Sequence, residues 1–203
     1  MFTFSEPSDR DIAKYISSQA KLPFSYAEAG ATKSGPGAST SDLGAGNSTG
    51  PAGYTLDHNR VQLGHGAEIY QRAVEALKQW RQFELGWVTL VPHGVKVETG
   101  AVVAVKARAG GLWSLNACRV VYVIDEAERF GFAYGTLPDH IERGEERFLL
   151  ERQPNDDSVW YDILAFSRPR HALVKAGFPY ARMLQKRFAR DSMAVMKSVV
   201  KSA

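Results

Sequence analysis

His140, Glu142, Glu145 and Glu146 place one imidazole and three carboxylates within seven consecutive residues. Such a group suits proton transfer, because a carboxyl or imidazole whose surroundings move its pKa toward neutrality can act as general acid or base. His140 with Glu142 or Glu145 is therefore the candidate catalytic set if the protein is an enzyme. A metal centre fits less well: so short a loop cannot aim all four groups at one ion, and another ligand would have to come from elsewhere. No metal and no cofactor are expected. The same acids can also pair with Arg143, Arg147 or the basic end of the chain and hold a turn in shape. In that reading, which is the one adopted, His140 is structural.

A second group combines aromatic and polar side chains. Arg108, Trp113, Asn116 and Arg119 fall on two neighbouring alternating runs, and Tyr134, Thr136, Asp162 and Phe166 on two later ones. These eight are the candidate ligand-binding residues. An arginine turned into a cavity needs a counter-charge. Asp162, lodged in the apolar run Val159–Phe166, is the expected partner, since an acid inside a strand is seldom buried unpaired. The alternative partner for such an arginine is a ligand carboxylate. Cys118 is the only cysteine, which excludes an internal disulfide, and its expected role is that of a small buried hydrophobe. No glycine-rich phosphate loop precedes a helix, and no G-x-S-x-G elbow or nucleic-acid motif is present, so those classes are disfavoured.

These residues must be positioned by regular elements. Phe130, Phe132 and Tyr134 alternate with Gly131, Ala133 and Gly135, a period of two that gives a strand with one aromatic face and one nearly bare face. The bare face allows a close approach to the backbone. Pro138 breaks this strand, and a second alternating run starts at Glu145. Runs of the same kind cover 86–91, 101–108, 115–124, 129–136, 145–153 and 159–167, preceded by a strand near 54–63. Short links make them an antiparallel meander. Helices are expected over 8–19, where Ser8 and Asp11 form a capping pattern, and over 67–81. A long amphipathic helix starts near Pro179, with Tyr180, Leu184, Phe188, Val195 and Val199 as its apolar stripe.

The fold class is thus α+β, a helix-grip arrangement in which a curved antiparallel sheet of about six to seven strands wraps the last helix, usually around a cavity. One domain accounts for the 203 residues. Its parts are an N-terminal helix packed on the body (1–29), a flexible Gly/Ser-rich loop (30–53) and the helix-grip unit (54–203). No apolar run is long enough for a transmembrane helix and no secretion signal stands at the N-terminus, so a soluble, cytoplasmic protein is expected. From Arg170 onward eight Lys/Arg residues face one acid, Asp191. That basic helix could meet a membrane surface or acidic protein, or simply face solvent.

Five segments, TLDHNRVQLGHG (55–66), GLWSLNACRVVYV (111–123), RFGFAYGTLPDHIERGEERF (129–148), VWYDILAFSRPRH (159–171) and LQKRFARDS (184–192), resemble uncharacterised protein family 0548, a domain of unknown function. The resemblance covers about Tyr54–Ala194, and the Gly30–Gly53 stretch departs from it in length. The family is similar to the START-like, birch-pollen-allergen-like superfamily, whose members hold lipids, sterols, polyketides or hormones under the last helix, a minority of them catalysing cyclisation or hydration. The resemblance implies a fold and a cavity and carries no catalytic residues. The function expected is non-enzymatic carriage of a small hydrophobic or amphipathic ligand in a cavity of about 300 Å3 or more. Acid/base catalysis at His140 with Glu142 or Glu145, and an interaction module built on the last helix, are the alternatives.

Overall fold

The computed structural model describes residues 1–34, 50–170 and 178–201. A short strand β1 (Phe2–Thr3) is followed by helix α1 (Asp9–Gln19), strand β2 (Thr55–His65) and helix α2 (Ala67–Lys78). Strands β3 (Val88–Val91), β4 (Val102–Ala109), β5 (Leu112–Glu126), β6 (Arg129–Thr136), β7 (Glu142–Arg152) and β8 (Ser158–Pro169) then form a meander, and helix α3 (Phe178–Lys201) closes the chain. The sheet order is β2-β8-β7-β6-β5-β4-β3, antiparallel throughout, with β1 added beside β5. Consecutive strands are neighbours because their links are too short for anything but hairpins. The meander is joined to its first strand last, when β8 pairs along β2.

Helix α1 begins as its sequence requires. Ser8 caps it, with the Asp11 carboxylate returning the bond to the Ser8 backbone, and Ile12 and Tyr15 are buried against Ala104, Leu115 and Ala117. It therefore covers the outer face of β4 and β5. The inner face carries the main core, in which Phe132, Tyr134 and Phe148 of the sheet meet Trp80, Phe83, Met196 and Val200. Trp80 ends α2 earlier than the periodicity suggests. Its backbone is left-handed (φ 60°), which turns the chain into a tight turn at Arg81–Phe83 and sets its ring edge-on to Phe132 at 4.6 Å.

Helix α3 buries a stripe slightly rotated from the expected one. Ala189, Ser192, Met196 and Val200 are the buried positions of its second half, while Val195 and Val199 are only half-buried. The Ser192 hydroxyl can sit there because it is within 3.0 Å of the Tyr161 hydroxyl. Trp87 and Arg187 fix the helix from the side: the indole nitrogen donates to Asp191 at 3.0 Å and the guanidinium stacks 4.4 Å over the ring. No described helix is long and apolar enough to cross a membrane.

Most of the Gly30–Gly53 stretch, residues 35–49, lies outside the described residues. Its first residues do not fit a loop free of the body. Ala31–Ser34 forms a 3-10 turn, and Thr32 is 1% exposed.

Candidate functional site

The residues of β7 divide by parity between two polar sites, one on each face of the sheet. Glu142, Glu146 and Phe148 point to the concave side, and Glu145, Arg147 and Leu149 to the convex side. The split follows from the pleat alone.

On the concave side a cavity of about 690 Å3 lies between the sheet and the first half of α3. Phe83, Val105, Ile163, Leu184 and Phe188 supply apolar wall, and Asp57, Asn116, His140, Glu142, Glu146 and Gln185 supply polar groups. Tyr134 donates its hydroxyl to Glu146 Oε2 at 2.6 Å. Burial raises the Glu146 carboxyl to about 7, and the nearby Glu142 and Asp57 charges add to the rise. Gln185 Nε2 donates to Glu142 Oε2 at 2.6 Å, and burial also raises Glu142 above the usual carboxylate range. Asp57 is paired with the guanidinium of Arg182. The His140 Nδ1 accepts the Glu142 backbone N–H at 3.0 Å, and burial lowers this imidazole to about 3, so the ring is neutral. His140 thus holds the turn before β7 and edges the cavity at the same time.

On the convex side Glu145 accepts from the Tyr26 hydroxyl (2.8 Å) and from the backbone N–H groups of Gly30 (2.7 Å) and Thr32 (3.0 Å). Arg147, 0% exposed, donates to the Thr32 carbonyl and to Asp162 Oδ1, each at 2.9 Å, and Asp162 also meets His58. The segment after α1 is strapped to the sheet by these bonds. The Tyr26 hydroxyl rests where a Cβ on Gly135 would come within 2.0 Å. The bare face of β6 is thus approached by the chain itself.

The candidate residues sort accordingly. His140, Glu142 and Glu145 all border the cavity, and the Glu145 carboxylate is bonded to Tyr26, Gly30 and Thr32 of the strap. Asn116, Tyr134 and Thr136 line the cavity. Phe166 reaches its wall, while its ring packs edge-on against Tyr26 (5.7 Å) and Tyr54 (5.1 Å). Arg108 and Trp113 are cross-strand partners with the guanidinium 5.5 Å from the ring, and neither borders the cavity. Arg119 donates to the carbonyls of Ala20 (2.7 Å) and Leu22 (2.8 Å) and holds the chain leaving α1. Asp162 is paired as expected for a buried acid, yet its partner is Arg147 and neither Arg108 nor Arg119. Glu146 was named in the acidic cluster but not in the catalytic set, and Asp57, Gln185 and Trp87, which also line the cavity, were not named as site residues. Glu146 was legible in principle, since it lies two residues before Phe148 and must share its face. Among the described residues no group of three or more His, Cys, Asp or Glu side chains is placed to hold a metal ion.

Residues 25–195 match the model of the family described as Domain of unknown function (DUF1990). The chain is 34% identical over 213 residues to a UPF0548 protein of Dictyostelium discoideum, covering all of this chain and 97% of that one. It is 38% identical over 155 residues to a UPF0548 protein of Arabidopsis thaliana, covering 72% and 74%. Among solved structures it is similar to the di-domain ARO/CYC StfQ from the steffimycin biosynthetic pathway, with a TM-score of 0.50, 11% identity, and coverage of 73% of this chain and 51% of that one. That likeness is one of fold. The chain belongs to the DUF1990 family of UPF0548 proteins, and its curled antiparallel sheet closed by a C-terminal helix is the helix-grip fold of the START-like proteins.

Proposed function

We propose that the protein binds a small amphipathic molecule in the cavity beneath α3. The observation that carries this is the cavity itself: about 690 Å3 is the volume of a site for a small molecule, and its lining joins an apolar wall to a few convergent polar groups. A neutral fluorescent probe that brightens in apolar surroundings, 1-N-phenylnaphthylamine, should bind with one-to-one stoichiometry. Ala165, on the cavity wall, pairs across the sheet with both Asp57 and Glu146. Ala165→Trp should abolish the signal while circular dichroism stays unchanged. No brightening with the wild type, or equal brightening with the variant, would contradict the reading.

A second reading is favoured by one geometry. Glu146 lies in the cavity wall 2.6 Å from the Tyr134 hydroxyl, and its carboxyl is raised to about 7 by burial. A carboxyl of that kind can give or take a proton near neutral pH. If the protein catalyses a reaction on its ligand, Glu146 with Tyr134 is the acid/base pair, and Glu142 its neighbour.

A further inference from the structure

The polar groups of the cavity have an uneven charge. Four acidic residues border it; the Glu145 carboxylate is bonded to Tyr26, Gly30 and Thr32, which leaves Asp57, Glu142 and Glu146, and the guanidinium of Arg182 is committed to Asp57 by contacts to both oxygens. His140 is neutral, the ring of His58 is bonded to Asp162, and Lys186 is exposed on α3. Glu142 and Glu146 accept bonds from an amide and a phenol, which are neutral donors. Neither carboxylate forms an ion pair among the described residues; the Arg182 charge is near enough to favour the ionised form of Glu142, but its guanidinium is bonded to Asp57 and Gln185. A carboxylate out of water is stabilised most by a charged donor.

Asn116 adds a separate observation. It is 6% exposed and borders the cavity; its Nδ2 donates to Ser114 Oγ at 3.1 Å, and its Oδ1 has no partner among the described residues. A buried acceptor left unpaired is costly and calls for a donor from the cavity. The strand register puts it at the right end. Cys118 pairs with Thr136 and Gly135 with Glu145, so Asn116, two residues past Cys118, lies at the same end of the sheet as Glu142.

We propose that the ligand carries a cationic, hydrogen-bond-donating head group, a protonated amine on an apolar body, received by Glu142, Glu146 and Asn116. This rests on the cavity-binding reading above and names its ligand class. An ammonium offers several N–H donors, enough to reach two carboxylates and an amide oxygen. A carboxylate ligand would meet like charge there and leave Asn116 Oδ1 unpaired.

The test is calorimetric titration of the purified protein with octylamine, octanol and octanoate, which share one apolar body and differ in the head. Octylamine, protonated at neutral pH, should bind about tenfold or more tightly than octanol, and octanoate most weakly. The double variant Glu142→Gln/Glu146→Gln should bring octylamine to the level of octanol, with the circular dichroism of the wild type. Asn116→Leu should weaken octylamine by severalfold. Equal affinities for the three, or preference for octanoate, would overturn the cationic assignment while leaving cavity binding in place. Absence of binding by all three and by the neutral probe would overturn both.

Discussion

Glu146 is half-buried on the cavity wall with a phenol on one oxygen and two other acids nearby, and its protonation should show in stability. Its carboxyl titrates near 7 in the folded protein and near 4.5 when exposed. The folded state therefore holds the proton longer, and stability is lost as pH rises from about 4.5 through about 7. Urea unfolding of Glu146→Gln beside the wild type should reveal this. The wild type should lose stability relative to the variant, on the order of 2–3 kcal/mol between those limits. Parallel pH profiles would place Glu146 in water. His140 runs the other way: its ring is lowered to about 3, so its contribution is complete above about 6.5 and is lost as pH falls toward 3. In NMR titration the imidazole should stay neutral at about pH 5, and a midpoint near 6.5 would contradict its burial. Residue by residue, the site was only half legible. The polar cluster at 140–147 was visible as composition, but both faces of β7 carry apolar residues further on, Phe148 inward and Leu149 outward. Periodicity alone could not say which acids turn their carboxylates to the cavity: Glu145 bonds to the strap, while Glu146 bonds to Tyr134.

At the scale of elements, the strap over the convex face should be as necessary as the core beneath it. Gly135→Ala would drive a methyl into the Tyr26 hydroxyl, a contact of 2.0 Å before relaxation. We expect a loss of about 1–3 kcal/mol, the range of overpacking, and a much smaller loss in a Tyr26→Ala background. Additive losses would mean that Tyr26 is not what Gly135 accommodates. Replacing Thr32–Pro51 by a short Gly-Ser linker should cost more than about 1 kcal/mol, because the Thr32 bonds to Glu145 and Arg147 go with it. On the other side, Phe188 packs against Phe83 at 5.3 Å but also borders the cavity. Phe188→Ala should therefore fall near or below the lower end of the roughly 3–5 kcal/mol typical of aromatic truncation, as read by thermal melting. The elements themselves were legible because pleat alternation, the Ser8–Asp11 cap and Pro138 act locally. The strap was not. Leu22–Ser34 has no period, and its hold on the sheet depends on Arg147 and Glu145, more than a hundred residues away.

For the whole molecule, a meander with short links can only curl antiparallel, and the amphipathic α3 can only bury its stripe in the concave face that results. That much the chain order and the family segments conveyed together. The cavity was expected from the fold, but its acidic polar end depends on which side chains three strands bring to one end, and that is a matter of register. The central claim is that this space receives a small molecule, and native mass spectrometry of the freshly purified protein tests it most directly. The wild type should carry a non-covalent adduct of a few hundred daltons that gentle activation releases, and the Ala165→Trp protein should not. A wild type that shows only the mass of the bare chain, before and after addition of octylamine, would contradict the account.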